Sequence, residues 1–353
     1  MRVADAVLRL LRDEGIDRIF GNPGTTELPL LDAIAADGQL QYVLGSHEGA
    51  LVAMADGYAR ATRRPAFVNL HVAAGVANGL IGMLNARRSH TPLVVTAGQQ
   101  DSRHLVQDPM LSGDLVGLAS SAAKWAVEVR RADEVLTVLR RAFRAAQAPP
   151  AGPVFVSIPM DLLELEADAE FPARTPVAAE TPAVGVEDAV RVLRSASRPA
   201  IVAGDGVGRA AALGELAEVA ERLGAAVFQQ PMFDRIDFPL THQQYLGMLA
   251  PDNAAIRKAL DGYDVIFLAG ARAFAPHHYS PGAALPPHAV VVQLDDDTSE
   301  LGRNYPAQVT LWGAIRPTLR LLADALGGSA PPAERLVAIS SEARRRLEAA
   351  ARS

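Results

Sequence analysis

The stretch RPAFVNLHVAAGVANGLIGMLNA, residues 64–86, decides the class of fold. Residues 66–86 carry no formal charge, which at first resembles a membrane-spanning helix. Four polar residues interrupt this run, namely Asn69, His71, Asn78 and Asn85. The small residues at positions 73–75 separate a β-like half from a helical half. We therefore predict a strand, a turn at positions 73–75 and a helix rather than a membrane span.

Short apolar runs alternate with helical segments on both sides of this stretch. In the first half of the chain the candidate strands are Arg18–Phe20, Gln41–Leu44, Ala66–Val72, Leu93–Ala97 and Val154–Ile158. In the second half they are Ala200–Ala203, Ala225–Phe228, Val265–Ala269 and Ala289–Gln293. Such alternation is typical of a parallel sheet that helices cover on both faces. We therefore predict an α/β fold with two doubly wound parallel-sheet domains.

The length of 353 residues is too great for one ordinary core, so two domains are expected. Residues 165–184 are rich in Pro, Ala, Glu and Thr without periodicity, which predicts a linker. We predict a first domain over residues 1–164, the linker over 165–184 and a Rossmann-like middle domain over 185–328. Residues 329–353 are predicted to form a further linker that ends in an Arg- and Ala-rich helix.

The composition excludes several classes of function. The net charge is −6 and the positive charges are scattered, so neither nucleic acid nor a membrane surface is expected as a partner. The chain has no cysteine, which excludes disulfides, thiolate nucleophiles and thiolate metal sites. The hydrophobic fraction of 49% and the charged fraction of 21% indicate a globular protein. We expect a soluble, cytoplasmic protein.

The stretch GSHEGALVAMADGYAR, residues 45–60, places a carboxylate at the start of an apolar helix. Ser46 is a candidate N-cap, which would put Glu48 in the first turn, where the helix dipole favours a negative charge. That structural role explains many such glutamates. The alternative is a general acid or base, with a pKa that apolar neighbours such as Leu51 and Met54 raise.

Three further loops follow strand ends, where open parallel sheets bind ligands. GNPGTTE, residues 21–27, could be only a tight turn in which Thr25 or Thr26 caps the next helix. His71 lies at or near the end of its strand, and His277 lies on the loop after Val265–Ala269. A lone histidine is more often structural than catalytic, but this location favours function. The glycine-rich stretch GDGVG, residues 204–208, is interpreted as a turn in preference to a phosphate-binding loop.

Taken together, these loops resemble the thiamine-diphosphate-dependent 2-keto acid decarboxylases, and among them the benzoylformate decarboxylases. The stretches that carry the resemblance are FGNPGTTELPLLD, HEGALVAMADGYARAT, RPAFVNLHVAAGVANGLIGMLNA, SHTPLVVTAGQQ, GPVFVSIPMDLLE and GARAFAPHHYSPG. They extend over nearly the whole chain. The resemblance implies a first domain that binds the aminopyrimidine of thiamine diphosphate, followed by a middle domain.

The resemblance also assigns roles to individual residues. Glu48 looks like the family glutamate that hydrogen-bonds the aminopyrimidine ring, and the apolar wall behind it is expected to keep its pKa high enough to exchange a proton. His71 and His277 resemble the two active-site histidines that transfer protons. Thr25 occupies the place of a substrate-contacting serine. Three further residues are expected at the cofactor, namely Pro23, Gly24 and Asn78.

The family's third domain, which binds the diphosphate through Mg²⁺, has no counterpart in this sequence. Gly204–Gly206 is not the family's metal motif, because it lies in the middle domain and no asparagine follows it before Asn253. We therefore predict no metal ligands on this chain. The resemblance implies that a missing part of the protein or a separate diphosphate-binding subunit supplies them. It also implies a homo-oligomer, because the family's site forms between subunits.

The resemblance implies non-oxidative decarboxylation of a 2-keto acid to an aldehyde and CO₂. A carboligase similar to acetolactate synthase is the alternative within the same family, although the presence of both His71 and His277 favours decarboxylation. A noncatalytic partner subunit or remnant of the same fold is a third possibility. A plain nucleotide-binding α/β protein is a fourth, and the retention of Glu48 with both histidines argues against the last two.

Overall fold

The computed structural model describes residues 1–166, 171–175, 180–274, 276–327 and 331–350, with side chains up to residue 346. The chain divides into two compact units, residues 1–177 and 178–353. Parts of the predicted linker, at 167–170 and 176–179, lie outside the described residues, as do 328–330 and 351–353 of the second domain and tail.

The first unit contains a six-stranded sheet in which every neighbouring pair is parallel. Its strands are β1 (Arg18–Gly21), β2 (Gln41–Leu44), β3 (Ala66–His71), β4 (Leu93–Gln99), β5 (Trp125–Glu128) and β6 (Val154–Pro159). Their order across the sheet is β2-β1-β3-β4-β6-β5. The chain therefore runs from β1 outward to β2 and then returns to β3 on the other side of β1. The carboxyl ends of β1 and β3 form the switch point of this sheet.

Helices cover both faces of the first sheet. They are α1 (Val3–Asp13), α2 (Leu28–Asp37), α3 (Glu48–Thr62), α4 (Val72–Arg88), α5 (Leu115–Ser120), α6 (Val135–Gln147) and α7 (Met160–Glu164). Successive strand residues point to opposite faces. Phe67 of β3 therefore joins the core beneath α1, α2 and α6, whereas Val68 joins the core beneath α3, α4 and α5. Two separate hydrophobic layers hold the sheet between the helices.

The second unit repeats this architecture. Its strands are β7 (Pro199–Ala203), β8 (Ala226–Gln229), β9 (Tyr245–Met248), β10 (Val265–Ala269), β11 (Val290–Asp295) and β12 (Val309–Trp312). All neighbouring pairs are parallel, in the order β12-β11-β10-β7-β8-β9. Its helices are α8 (Val186–Ser195), α9 (Asp205–Arg209), α10 (Leu213–Leu223), α11 (Asn253–Leu260), α12 (Ile315–Leu326) and α13 (Ala333–Ala350). The predicted α/β class with two parallel sheets is confirmed.

The helix in the predicted tail is α13, and it packs against the second unit. Ile339 and Ala343 are buried in the core beneath α11. Arg335 donates a hydrogen bond to the carbonyl of Leu223 at 2.8 Å, and Arg346 donates one to the carbonyl of Leu246 at 3.2 Å. These contacts make the helix an outer layer of the second unit.

Candidate active site

The polar groups of the first unit gather at the carboxyl ends of β1 and β3. Asn22 follows β1 directly, and His71 is the last residue of β3. The first turn of α3, which follows β2, brings Glu48 to the same end of the sheet because parallel strands share one carboxyl edge. This edge is where a doubly wound sheet binds its ligands.

Glu48 is the first residue of α3 and is only 7% exposed. Asn22 donates an amide hydrogen bond to Oε1 at 2.9 Å, and Asn78 of α4 donates one to Oε2 at 3.0 Å. Two side-chain amides therefore fix the plane of the carboxylate. Its own backbone amide is a third donor, which leaves about one of the four acceptor positions of an ionised carboxylate open.

Hydrogen bonding controls the charge of Glu48 more than burial does. Burial raises its pKa, but its own backbone amide, Asn78 and Asn22 together outweigh burial and hold the pKa below its ordinary value. The expectation that an apolar wall keeps this pKa high is therefore wrong for the chain by itself. Ser46 is not the cap either. The residue before Glu48 is His47, and its Nδ1 accepts a hydrogen bond from the amide of Gly49 at 3.1 Å.

His71 lies at an abrupt junction between a strand and a helix. It pairs with Gly98 of β4 as the last residue of β3, and α4 begins at the next residue. The predicted turn at residues 73–75 is therefore wrong, because those residues are already helical. Val72 makes the whole change of direction with φ of 43°, although it is β-branched and fully buried. Such a conformation persists only where the surrounding structure enforces it.

Glu27 is a buried carboxylate that the sequence interpretation missed, and it contacts His71. It is 1% exposed, and its Oε2 lies 2.8 Å from Nδ1 of His71. The same oxygen accepts the amide of Gly24 at 2.7 Å, at the start of the 3₁₀ turn Thr25–Glu27. A glutamate three residues after a helix-capping position was the available signal. It pointed only to a capping role.

The two threonines of the loop differ in their surroundings. Thr26 is fully buried, and its Oγ1 lies 3.2 Å from Nδ1 of His71. Thr25, the predicted substrate contact, is exposed to solvent. Gly24 must be a glycine here because a Cβ at that position would lie 2.2 Å from the imidazole of His71. The structure thus explains Gly24 by the close approach of this ring.

The groups around Glu48 fit an aminopyrimidine. A pyrimidine ring of this kind offers a ring nitrogen that can carry a proton, and the carboxylate of Glu48 keeps an acceptor position open for such a donor. Gly75 approaches the carboxylate from α4, where a Cβ would lie 3.5 Å from Oε1. Asn22, Glu48 and Asn78 are therefore the residues that would hold the ring.

The carboxylate of the Gly-Asp-Gly sequence, residues 204–206, is engaged within its own loop. Among the described residues no group of three or more His, Asp or Glu side chains could hold a metal. Asp205, in the Gly-Asp-Gly sequence, is buried and accepts hydrogen bonds from Gln230 at 2.8 Å and from the amide of Asp234 at 2.7 Å. A carboxylate used in this way stabilises its own loop.

The glycine-rich loop of the second unit fills the switch point of that sheet. The amide of Gly204 donates to the carbonyl of Ala269 at 3.0 Å, and the amide of Gly206 donates to the carbonyl of Gly270 at 2.9 Å. A Cβ at Gly204 would lie 2.3 Å from Cα of Ala271. Backbone therefore packs against backbone at this loop, and residues Asp205–Arg209 form the short helix α9 in place of the predicted turn.

His277 belongs to the second unit, on the exposed loop between β10 and β11. Its Nδ1 lies 3.2 Å from Nε2 of His278, and the two rings meet edge to face.

The part of the chain that the structure describes contains no helix long and apolar enough to cross a membrane.

Comparison with known proteins matches both units. Residues 1–116 match the thiamine pyrophosphate enzyme, N-terminal TPP binding domain, and residues 186–322 match the thiamine pyrophosphate enzyme, central domain. Benzoylformate decarboxylase of Pseudomonas aeruginosa is 40% identical over 94% of this chain and 63% of that protein. The acetolactate synthase large subunit of Haemophilus influenzae is 30% identical over 90% of this chain and 56% of that protein.

A solved structure supports the same relationship. The thiamine diphosphate-dependent 4-hydroxybenzoylformate decarboxylase of Rhodococcus jostii superposes with a TM-score of 0.86 at 35% identity. The superposition covers 94% of this chain and 64% of that one. The chain thus spans less than two thirds of the length of each of these relatives.

Proposed function

Because this chain belongs to the thiamine pyrophosphate enzyme family, we propose that it takes part in non-oxidative decarboxylation of a benzoylformate-like 2-keto acid to an aldehyde and CO₂. The observation that carries the proposal is the buried carboxylate of Glu48, which Asn22 and Asn78 hold at the start of α3. It is supported by the similarity to two decarboxylases with aryl 2-keto acids in their names.

The proposed roles follow from the chemistry of each group. Glu48 accepts a hydrogen bond from the protonated ring nitrogen of the aminopyrimidine, while Asn22 and Asn78 keep the carboxylate in position. When bound, thiamine diphosphate supplies the electron sink for the electron pair left by CO₂. We propose that Pro23 and Gly24 would lie beside the aminopyrimidine ring of the cofactor and that Thr25 would contact the substrate. His71 and His277 move protons at the reacting carbon.

The diphosphate half of the cofactor site is proposed to come from outside the residues of this chain. The resemblance places the ligands of Mg²⁺ on a third domain, which we propose lies in the same protein or in a partner subunit. The family's sites form between subunits, so we further propose a homo-oligomer. Carboligation of two 2-keto acids is the second candidate, supported by the similarity to acetolactate synthase.

The test is to restore the missing half and measure the product. The chain is combined with the part of the Pseudomonas aeruginosa relative that it does not span, with thiamine diphosphate and Mg²⁺, and benzoylformate is supplied. We expect benzaldehyde and CO₂, and we expect Glu48→Gln to lower the rate by about 10²- to 10³-fold because a proton-transfer partner is lost. Glu164→Gln, an exposed glutamate, is the matched control.

Two outcomes would contradict the proposal. One is that Glu48→Gln and the parent chain convert benzoylformate equally well. The other is that pyruvate, but not benzoylformate, is consumed and yields acetolactate, which would establish the carboligase instead.

A further inference from the structure

The carboxylate of Glu27 is satisfied on every side. Oε1 accepts the hydroxyl of Thr26 at 2.7 Å and the amide of Gly98 at 2.9 Å. Oε2 accepts the amide of Gly24 at 2.7 Å and contacts Nδ1 of His71 at 2.8 Å. Four partners match the number of acceptor positions of an ionised carboxylate. A charge buried to this degree is retained only with such a complete set of donors.

Counting hydrogens identifies which nitrogen of His71 carries the proton. Three other donors, the amides of Gly24 and Gly98 and the hydroxyl of Thr26, face the carboxylate of Glu27 and favour its ionised form. An ionised carboxylate has no hydrogen to give, so its contact with His71 requires a proton on Nδ1. Thr26 has a single hydroxyl hydrogen, and its 2.7 Å contact with Oε1 uses it. Its oxygen can therefore only accept from Nδ1. Neutral His71 is consequently the Nδ1–H form, with the lone pair on Nε2.

Nε2 is the nitrogen that remains available for chemistry. Within the described part of the chain Nε2 has no hydrogen-bond partner. The side chain of His71 is 23% exposed, whereas the side chain of Glu27 is 1% exposed. Gly24 packs against the ring and limits its rotation. This is the arrangement in which a buried carboxylate orients an imidazole whose other nitrogen exchanges protons.

We propose that Glu27 is a positioning residue, which holds Nδ1–H of His71 so that Nε2 is the nitrogen that exchanges a proton with the substrate. This inference rests on the proposed function for the identity of the substrate. The assignment of the tautomer does not, because it follows from the contacts of Glu27 alone. Protonated His71 gives the Nε2 proton to the reacting carbon and returns to its neutral Nδ1–H form, so the proton count balances.

The test is the tautomer of His71 in the chain labelled with ¹⁵N-histidine. Long-range ¹H–¹⁵N spectra are recorded above the pKa of free histidine, and a His71→Asn variant assigns the signal. We expect Nδ1 to be protonated in the parent chain. Glu27→Gln keeps the shape but can present its NH₂ group to Nδ1, so we expect the proton to move to Nε2.

Glu128→Gln is the matched control. Glu128 also accepts side-chain hydrogen bonds, from Ser157 at 2.9 Å and Gln99 at 3.3 Å, and makes none with His71. We expect its His71 signal to be unchanged. Circular dichroism and urea unfolding of each variant establish that it is folded. If Glu27→Gln does not fold, the parent spectrum still decides, because an Nε2–H form there overturns the inference.

The restored enzyme provides the second readout. We expect Glu27→Gln to lower kcat by about 10- to 100-fold with little change in KM, as loss of an orienting group does. Unchanged kcat with active parent enzyme overturns the positioning role. If the parent is inactive towards every 2-keto acid while its tautomer is as expected, the proposed function fails and the assignment of the tautomer stands.

Discussion

At the scale of single residues, two carboxylates a short distance apart in sequence are charged for different reasons. Glu27 has all of its acceptor positions filled by protein donors. Glu48 has two side-chain donors and a helix terminus, which leaves it able to accept a ligand. Glu27 is therefore arranged to hold the neighbouring side chain of His71, whereas Glu48 keeps an acceptor position open for a ligand.

The hydrogen bond from Asn78 predicts how Glu48 titrates. We expect Asn78→Ala to raise the pKa of Glu48 by about one unit, because a hydrogen bond to a charged group contributes about 1.5 kcal/mol and stabilises the ionised form. A ¹³C titration of the carboxyl carbon measures this. Asn85→Ala, at an exposed position on the same helix, is the control. An unshifted titration in Asn78→Ala would show that Asn78 does not set the charge.

The sequence could predict that Glu48 and His71 lie at strand ends, because strand position follows from apolar runs. It could not predict the pKa of Glu48, since Asn22 is distant from it in sequence and comes close only when β1 and β2 pair. Glu27 was missed for a similar reason. A glutamate shortly after a Pro-Gly turn is typical of a solvated cap, and its partner Gly98 comes from β4.

At the scale of elements, α3 and α4 pack closely because one helix offers glycine where the other offers valine. A Cβ at Gly82 of α4 would lie 2.6 Å from Cβ of Val52. The two helices carry Glu48 and Asn78 respectively, so their separation sets the hydrogen bond between those side chains. The packing of the helices and the geometry of the site are therefore linked.

Two glycine substitutions on these helices are expected to have opposite effects. Gly82→Ala should lower the free energy of unfolding by about 1–3 kcal/mol, because the added methyl would overlap Cβ and Cγ1 of Val52. Gly57→Ala should raise it by about 0.5–1 kcal/mol, since nothing lies within 4 Å and alanine favours the helix. Urea unfolding compares both. A Gly82→Ala chain as stable as Gly57→Ala would mean that the helices can separate freely.

The sequence predicted the central strands better than the edge strands. β4, β6 and β10 are continuous buried apolar runs, and their cores were found within one or two residues of their ends. β5, β9 and β12 were missed. These are edge strands of four residues with few buried side chains, such as Val309–Trp312, whose pairing depends on the neighbouring strand and leaves little pattern in the sequence.

At the scale of the whole molecule, the two units have the same sheet architecture but different chemistry at their switch points. In the first, the carboxyl ends of β1 and β3 present Asn22 and His71. In the second, the loops after β7 and β10 close on each other through Gly204 and Ala271. Similar folds therefore do not imply similar sites, and the second unit buries acids of its own, among them Asp205, Asp237 and Asp295.

Asp237 is the clearest of these acids. It is fully buried, and neither carboxyl oxygen has a hydrogen-bond partner among the described residues. Burial, together with the charge of Asp205, raises its pKa to about 8. The unfolded carboxyl releases its proton near the ordinary value of 3.8, so between these two pH values the folded state binds more protons than the unfolded state.

The free energy of unfolding of the second unit should therefore fall as pH rises from about 4 to about 8. Asp237 contributes a slope of up to about 1.4 kcal/mol per pH unit, and the profile should level off above about pH 8. Asp237→Asn should flatten the profile, although burial also raises the pKa values of Asp205 and Asp295, which would leave part of the slope. Urea unfolding followed through Trp312, in a Trp125→Phe background, reports on this unit. Parallel profiles for parent and variant would exclude Asp237 as the cause.

The junction at Val72 has a practical consequence for protein engineering. Since β3 ends and α4 begins without an intervening residue, this connection has no spare length. Insertion of one residue within β3, before His71, would turn the His71 side chain to the opposite face of the sheet. A directed-evolution library should therefore keep chain length constant here and introduce substitutions rather than insertions or deletions.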